Sequence, residues 1–325
     1  MKHILLSSAC TLLTVLGFSL LISPGEALAQ DDQSSAGYGL EEVTVTARRR
    51  TESLRDVPGT VTALTSDVLE GAGVRRAEGF IALTPGVTMV NAAEVGDTQV
   101  NIRGINGARD AENSFALLVD GILYTNPAAF NREYSNLKQI EIFKGPQGAI
   151  YGRSAAAGAI IVTTDKPGNE PSFDATVSFA EDDTYAGLFS FSTPLIEDEL
   201  YLSLSADFSQ SDGFYENSFQ NNASIVDTYE GSSVNARLVW EASDVLEIDS
   251  KLRYGEVDAS SIVFNSIFHL PVFAAATNTP AANQDSNDVD FVFNPNIVSD
   301  NDQEALEFST KFDYSMENTT LTGWM

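Results

Sequence analysis

The alternation of apolar and polar residues after residue 170 constrains the fold of this chain more than any other feature. Apolar side chains recur at every second position in four segments, and the residues between them are mostly polar or charged, as in Glu247, Asp249, Lys251 and Arg253. A period of two predicts β-strands with one apolar face and one polar face. The four segments are Phe173–Phe179, Leu202–Phe208, Leu246–Tyr254 and Leu306–Tyr314.

The lengths of the connections decide between a soluble sandwich and a membrane barrel. After a short connection at 181–183, short turns at 196–199, 242–244 and 315–318 alternate with long connections at 211–228 and 257–303. Outer-membrane barrels have short periplasmic turns and long extracellular loops, which a sandwich has no reason to produce. We therefore predict antiparallel transmembrane β-barrel strands over residues 170–325. About seven strands are expected, and because single-chain bacterial barrels have at least eight, the prediction is an incomplete barrel and a fragment.

Charge and residue usage exclude several classes of function. A net charge of −28 repels nucleic-acid phosphates. The single cysteine is Cys10, and the two histidines are His3 and His269. Disulfides, Cys/His metal sites and nucleophilic catalysis are therefore not expected, and we predict a non-enzyme with no catalytic residue and no cofactor. An acidic run suggests calcium but lacks the glycine and distant glutamate of an EF-hand loop, so no metal site is predicted; its residues are Asp285, Asp288 and Asp290.

The first 29 residues are typical of a secretory signal peptide. Lys2 and His3 precede an uncharged run from Ile4 to Ile22, and Ala27-Leu28-Ala29 offers small residues for cleavage. A membrane anchor is the alternative, because the uncharged run almost reaches the length that spans a bilayer. Residues 30–40 follow as a polar linker without periodicity.

A glycine-containing segment at 137–167 joins two predicted strands. The first strand contains Ile140 and Ile142 and breaks at Gly145-Pro146, and the second resumes at Ile160. A phosphate-binding Walker loop needs four residues between its glycines and a following lysine. Three residues separate Gly148 from Gly152, and an arginine follows, so nucleotide binding is not predicted.

This segment resembles the end of the plug domain of TonB-dependent outer-membrane receptors. The resemblance rests on Ile140-Glu141, Lys144-Gly145-Pro146, Tyr151-Gly152, Gly158, Ile160 and Thr164, with Ile102-Arg103-Gly104 upstream. It implies that residues 51–169 form an α/β plug domain with a small mixed sheet, inside a barrel that outer-membrane lipid surrounds. Four glycines would supply backbone geometry that bulkier residues forbid: Gly104, Gly145, Gly152 and Gly158.

Local patterns predict the order of elements within this plug. Strands are expected at 60–64, 99–102, 115–119 and 122–124, and helices at 65–71, 77–83 and 131–137. Asp120-Gly121 is a strong hairpin signal, so Asp120 is assigned to turn chemistry.

Residues 41–50 form the part of the 30–50 linker that carries a functional prediction. Alternating valine and threonine favour an extended conformation, and no neighbouring strand in the sequence is expected to pair with it. The segment resembles the TonB box at Glu42, Val43, Thr44, Val45, Thr46 and Ala47. This implies that TonB binds it by strand addition; an ordinary edge strand of the next domain is the alternative.

The resemblance also implies a role for two plug cations, Arg103 and Lys144. They would act as latches, paired with glutamates on the inner barrel wall, because breaking one side of a buried ion pair is costly. The alternative is that both are solvated surface cations.

Together with the predicted barrel strands, the resemblance implies an outer-membrane receptor for TonB-dependent import of a scarce nutrient. A ferric siderophore is the default small-molecule ligand by family frequency, and cobalamin or a saccharide stays open. The alternative function is a passive porin or surface-binding adhesin without energy coupling.

Overall fold

The computed structural model describes residues 43–47, 50–57, 59–91, 98–107, 112–130, 132–217, 221, 223, 226–260, 271–279 and 300–325. The predicted signal peptide, the linker at 30–40 and Glu42 lie outside these residues. So do His269 and the three aspartates at 285, 288 and 290.

The first half of the described chain is the predicted α/β plug with its mixed sheet. Five strands form the sheet in the order β3-β8-β9-β6-β7, in which β6 and β9 run parallel and the other neighbours antiparallel. β4 and β5 form a separate antiparallel pair. The elements are β1 Thr44–Ala47, β2 Arg50–Ser53, β3 Thr60–Thr65, α1 Ser66–Gly71, α2 Ala77–Ala82, β4 Val87–Asn91, β5 Thr98–Ile102, β6 Phe115–Val119, β7 Ile122–Tyr124, a 3-10 helix at Pro127–Phe130, β8 Leu137–Lys144, α3 Gly148–Tyr151 and β9 Gly158–Thr164.

The plug sheet is covered on both faces. Strand β6 is buried along its whole length, as expected for a strand between two apolar layers. Phe115 and Leu117 pack with Phe80 and Phe130 on one face. Ala116 and Leu118 belong to a second cluster on the other face, together with Phe143, Tyr151, Ile161 and Val45.

The predicted helix at 131–137 is wrong for the residues that the structure describes there. A 3-10 helix occupies Pro127–Phe130, and strand β8 already begins at Leu137. The backbone N–H of Tyr134 donates to the carbonyl of Arg75 at 2.9 Å, and its buried hydroxyl donates to the carbonyl of Phe130 at 3.1 Å. Contacts with the loop between α1 and α2 therefore replace the hydrogen bonds that a helix would make.

Seven antiparallel strands follow, in agreement with the predicted barrel strands. They form one sheet in sequence order from β10 to β16, which we call the wall sheet. Its elements are β10 Ser172–Phe179, β11 Tyr185–Ile196, β12 Leu200–Ser211, β13 Tyr229–Ser243, β14 Leu246–Ser260, β15 Asp300–Met316 and β16 Thr319–Trp324, with α4 at Pro271–Thr277 between β14 and β15. Among the described residues, no helix combines the length and the apolar character needed to cross a membrane.

The two faces of the wall sheet differ as the alternation predicts. Large apolar side chains remain exposed on the outer face, with Leu306 at 73% and Phe308 at 62%. The opposite face carries polar side chains that are buried, including Arg237 and Asp249. A period of two thus gives a face suited to lipid and a face turned to the plug.

Candidate functional site

The predicted coupling strand is paired in the structure. Strand β1 forms an antiparallel hairpin with β2, in which Thr44 lies opposite Ser53 and Ala47 opposite Arg50. The expectation that no neighbouring strand would pair with this segment is therefore wrong. The two residues that connect the strands, Arg48 and Arg49, lie outside the described chain.

The hairpin is held on the plug by one buried apolar side chain and one described hydrogen bond, and a further bond extends the pairing within the hairpin. Val45 is 1% exposed and packs into the cluster that contains Leu118 and Tyr151. The side-chain amide of Gln139 donates to the carbonyl of Thr44 at 2.8 Å, and the N–H of Leu54 donates to the carbonyl of Val43 at 3.0 Å. The strand predicted to meet TonB is thus docked on the plug sheet.

Arg103 and Lys144 lie together within the plug. The guanidinium Nη1 of Arg103 donates to the carbonyl of Lys144 at 3.2 Å, and the Lys144 ammonium donates to the carbonyl of Pro85 at 2.6 Å. Burial and the charge of Arg103 lower the pKa of Lys144. These described contacts stay within the plug, so the latch to barrel glutamates remains a prediction.

The four predicted glycines lie where the backbone requires unusual geometry or close approach. Gly104, Gly145 and Gly152 have φ values of 86°, 116° and 83°, in the left-handed region that side chains disfavour. Gly158 begins β9 next to β8, where a Cβ would collide with the carbonyl oxygen of Phe143. The close pairing of β8 and β9 therefore depends on the absence of a side chain at residue 158.

Asp120 carries the contact between the plug and the wall sheet that sequence reasoning missed. Its φ of 50° fits the predicted turn, but its carboxylate has a further role. The two oxygens accept hydrogen bonds from the N–H and the hydroxyl of Thr164, both at 2.8 Å, and the carboxylate forms an ion pair with Lys251 of β14. The assignment to turn chemistry alone is therefore corrected.

Arg237 of β13 extends this contact. Its guanidinium makes a two-point ion pair with Asp249, at 3.0 and 2.8 Å. Nη1 of Arg237 also donates to the hydroxyl of Thr164 at 2.9 Å and to the carbonyl of Asp165 at 2.8 Å. The adjacent ends of the parallel strands β6 and β9 are thereby fixed to the wall sheet.

The electrostatics of Asp120 follow from this geometry. Burial alone would raise the pKa of its carboxyl group, but the charges of Lys251 and Arg237 and the hydrogen bonds outweigh burial and hold the pKa below its ordinary value. The carboxylate is thus kept ionised as a fixed partner for cations on the wall.

In a second contact between the plug and the wall sheet, the plug supplies the cation and the wall supplies the carboxylate. Arg132 of the plug forms an ion pair with Glu307 of β15 at 2.9 Å, and Arg253 of β14 reaches the same glutamate at 3.4 Å. The guanidinium of Arg132 lies 4.7 Å from the ring centroid of Tyr124 and 5.3 Å from that of Tyr134. Aromatic faces stabilise a desolvated cation, so Arg132 is fixed from both sides.

A signal for these contacts was present in the sequence. Residues 170–325 contain 28 acidic residues but only four basic ones, which are Arg237, Lys251, Arg253 and Lys311. Arg237, Lys251 and Arg253 share one parity on antiparallel strands and therefore one face of the sheet. In a segment with so few basic residues, a basic side chain on the polar face of a barrel strand indicates that it has a polar or acidic partner inside the barrel.

Comparison with known proteins identifies the plug domain. A family profile described as TonB-dependent Receptor Plug Domain matches residues 53–159, a span that contains four strands of the mixed sheet, the start of the fifth strand β9, and Asp120. Residues 53–159 of this chain are therefore a TonB-dependent receptor plug domain. The wall sheet that follows the plug domain is a set of barrel strands, which places this part of the protein in the bacterial outer membrane.

Two curated receptors illustrate the extent of the similarity. The pesticin receptor of Yersinia enterocolitica is 29% identical over 184 residues, which cover 56% of this chain and 26% of that receptor. The catecholate siderophore receptor Fiu of Escherichia coli is 30% identical over 123 residues, which cover 38% of this chain and 16% of Fiu. The aligned segments therefore span about a quarter or less of the length of these relatives, whose names identify receptors rather than enzymes.

Solved structures show the same fold at lower sequence identity. The ferric yersiniabactin uptake receptor FyuA from Yersinia pestis matches with a TM-score of 0.67 at 20% identity, over 81% of this chain and 39% of FyuA. The open form of the ferric-catecholate import receptor Fiu matches with a TM-score of 0.66 at 19% identity, over 87% of this chain and 41% of Fiu. At these identities the likeness concerns the arrangement of plug and barrel strands alone.

Proposed function

We propose that this receptor imports a ferric siderophore across the outer membrane, driven by TonB acting on strand β1. Relatives are named as catecholate siderophore and ferric yersiniabactin receptors, which supports an iron chelate as cargo. In this proposal the protein acts as a carrier and not as an enzyme. The single observation that carries the coupling proposal is the docked hairpin of β1 and β2.

The hairpin is suited to release. A two-stranded hairpin is at best marginally stable by itself in water, so β1 depends on its contacts with the plug. Among the described residues, β2 is the one strand that pairs with β1. The side-chain amide of Gln139 donates a hydrogen bond to the carbonyl of Thr44. Once these contacts break, the backbone of residues 43–47 becomes available for main-chain hydrogen bonds with a partner strand.

The coupling proposal is tested by cross-linking and uptake in the same cells. Val43→Cys is expected to form a disulfide with cysteines placed in the periplasmic domain of TonB. Val45→Pro removes a backbone N–H that strand addition needs and is expected to abolish both this cross-link and uptake of radioactive ferric siderophore. Val45→Ile is the matched control, since it keeps the N–H and the apolar side chain.

The outcomes separate the importer from a passive barrel. Uptake that persists with Val45→Pro, or in cells without TonB, would support a porin and overturn energy coupling. Coupled uptake of cobalamin or a saccharide instead of the iron chelate would keep TonB coupling and reject the ferric siderophore as cargo.

A further inference from the structure

Between the plug and the wall sheet lies a polar cavity of about 110 Å³ that is lined by two arginines. Arg132 belongs to the plug and Arg253 to β14, and their side chains are largely buried, with 9% and 19% exposure. A volume of about 10–15 Å³ is enough for one water molecule, so this cavity has room for a small ion together with several waters. Further polar groups line it from both parts: Tyr124, Tyr134, Ser135, Ser205, Asn235 and Ser309.

The two arginines share a single carboxylate. Nη1 of Arg132 donates to both oxygens of Glu307, at 3.2 and 2.9 Å, whereas Nη1 of Arg253 donates to one oxygen at 3.4 Å. The latter distance exceeds the usual range of an N–H···O hydrogen bond, which is about 2.7–3.2 Å. A carboxylate has about four acceptor positions, against five N–H donors on each guanidinium. Glu307 therefore cannot satisfy both arginines.

The other basic side chains at the cavity have carboxylate partners of their own. Arg237 makes the two-point ion pair with Asp249, and Lys251 forms an ion pair with Asp120. Each of these pairs is balanced in charge. Neither pair offers additional negative charge to the arginines that share Glu307.

The remaining carboxylates near the cavity do not supply the missing negative charge. A carboxylate oxygen of Glu133 lies 3.5 Å from Nε of Arg76. Asp165 is exposed to solvent, where water screens its charge. Asp207 is not part of the lining, and its charge acts on both Arg253 and Arg76. The guanidinium of Arg253 is therefore incompletely neutralised by the described carboxylates.

We propose that the cavity binds a small inorganic anion such as chloride, held between Arg132 of the plug and Arg253 of β14. A desolvated cation without a full counter-charge is costly, and the two guanidinium groups also repel each other. An anion between them relieves both effects. The hydroxyl groups of Ser135 and Ser205, 2.9 Å apart across the boundary between plug and wall, line the same cavity as further donors.

Because the plug and the wall sheet each contribute donors to this site, the bound anion stabilises the plug in its position against the wall. The inference concerns how the plug is held and does not depend on which solute the protein imports.

Thermal unfolding of the purified protein in a neutral detergent tests the site. Chloride is exchanged for gluconate, a bulky organic anion, at a constant ionic strength of about 0.15 M so that charge screening stays equal. A ligand that binds only the folded state stabilises it, so chloride is expected to raise Tm by at least about 2 °C. Broadening of the chloride NMR signal by the protein measures binding directly. The absence of either effect in the wild type would overturn the site.

Variants of Arg253 test its role in the site. Arg253→Gln removes one guanidinium and is expected to abolish the rise in Tm with chloride, whereas Arg253→Lys keeps the charge and retains the rise. Lys311→Gln is the matched control, because Lys311 lies on the same polar face outside the cavity and pairs with Asp313 at 2.7 Å. Equal chloride dependence in the wild type and Arg253→Gln would overturn the proposal.

Glu307→Gln distinguishes an anion site from an ion pair with a purely structural role. Both arginines lose the shared carboxylate in this variant, so chloride is expected to bind more tightly. The chloride concentration that gives half of the rise in Tm should fall at least about threefold, the size of effect that one partly exposed charge exerts on another. A purely structural role predicts a lower Tm at every chloride concentration with no change in that midpoint, and this result would overturn the site.

Discussion

At the level of single residues, Asp120 has two structural roles, one through its backbone and one through its carboxylate. Its backbone adopts a left-handed conformation next to Gly121, which aspartate tolerates better than most residues. Its carboxylate simultaneously binds Thr164 and Lys251. The turn that connects β6 to β7 therefore also fixes the plug to the wall sheet.

Replacing Asp120 by asparagine is expected to destabilise the protein. Asp120→Asn leaves the partly buried Lys251 without its ionised partner, and removing one side of a buried ion pair costs about 3 kcal/mol at the lower end of the measured range. Urea unfolding in detergent micelles measures the change. Asp165→Asn is the control, because the described contact of Asp165 with Arg237 uses the backbone carbonyl. Equal stability of the two variants would contradict the role of the carboxylate.

The pKa of Asp120 also predicts how stability depends on pH. Because the pKa of Asp120 is lower in the folded state, its contribution is fully present above the ordinary aspartate pKa of about 3.9 and is lost as the pH falls through the lowered value. The free energy of unfolding should therefore fall less steeply in acid for Asp120→Asn than for the wild type. If the free energy of unfolding fell equally steeply in acid for Asp120→Asn and for the wild type, this role of Asp120 would be contradicted.

The pKa of Glu133 is shifted in the opposite direction to that of Asp120. Burial raises the pKa of Glu133 despite the nearby charge of Arg76. Its stabilising contribution is therefore present below the ordinary glutamate pKa of about 4.3 and is lost as the pH rises through the raised value. Glu133→Gln should equal the wild type in acid and become relatively more stable toward neutral pH, as followed by urea unfolding across the same pH range. A variant that is relatively weaker at neutral pH would show that Glu133 is favourably ionised.

At the level of secondary structure, the pairing of β8 with β9 depends on Gly158. Gly158→Ala would push a methyl group into the carbonyl oxygen of Phe143, and overpacking of this kind costs about 1–3 kcal/mol. Gly148→Ala is the matched control, since no atom lies within 4 Å of a Cβ at that residue of α3. Thermal unfolding of the two variants measures the difference. A Gly158→Ala variant as stable as Gly148→Ala would show that the strands separate without loss.

The strands of both sheets were predictable because period-two alternation and glycine turns are local signals. The hairpin of β1 and β2 was not, because its Arg48-Arg49 connection lacks the glycine or asparagine that marks a two-residue turn. The helix expected at 131–137 failed because the backbone of Tyr134 bonds to Arg75, a contact between distant parts of the sequence. The ion pairs of Asp120 and Arg132 with the wall sheet likewise depend on three-dimensional proximity.

At the level of the whole molecule, the two tryptophans report on the two faces of the wall sheet. Trp240 lies on the outer face, because it pairs with Ile248, which pairs with Phe312. Trp324 lies on the opposite, polar face, because it pairs with Lys311. Aromatic residues on the outer face contact lipid, so brominated phospholipids should quench the fluorescence of Trp240 more than that of Trp324. Trp240→Phe and Trp324→Phe assign the signal to each residue. Fluorescence unaffected by brominated lipid would contradict a lipid-facing outer surface.

The uneven distribution of plug contacts along the wall sheet has a consequence for which of its side chains can vary. Substitution of Arg237, Lys251 or Glu307 would remove a hydrogen bond or an ion pair that fixes the plug to the wall sheet. The described serines of β10–β12 contribute a single direct hydrogen bond to the plug, between Ser205 and Ser135. Those serines can therefore be exchanged with less effect on the position of the plug than the charged residues of β13–β15.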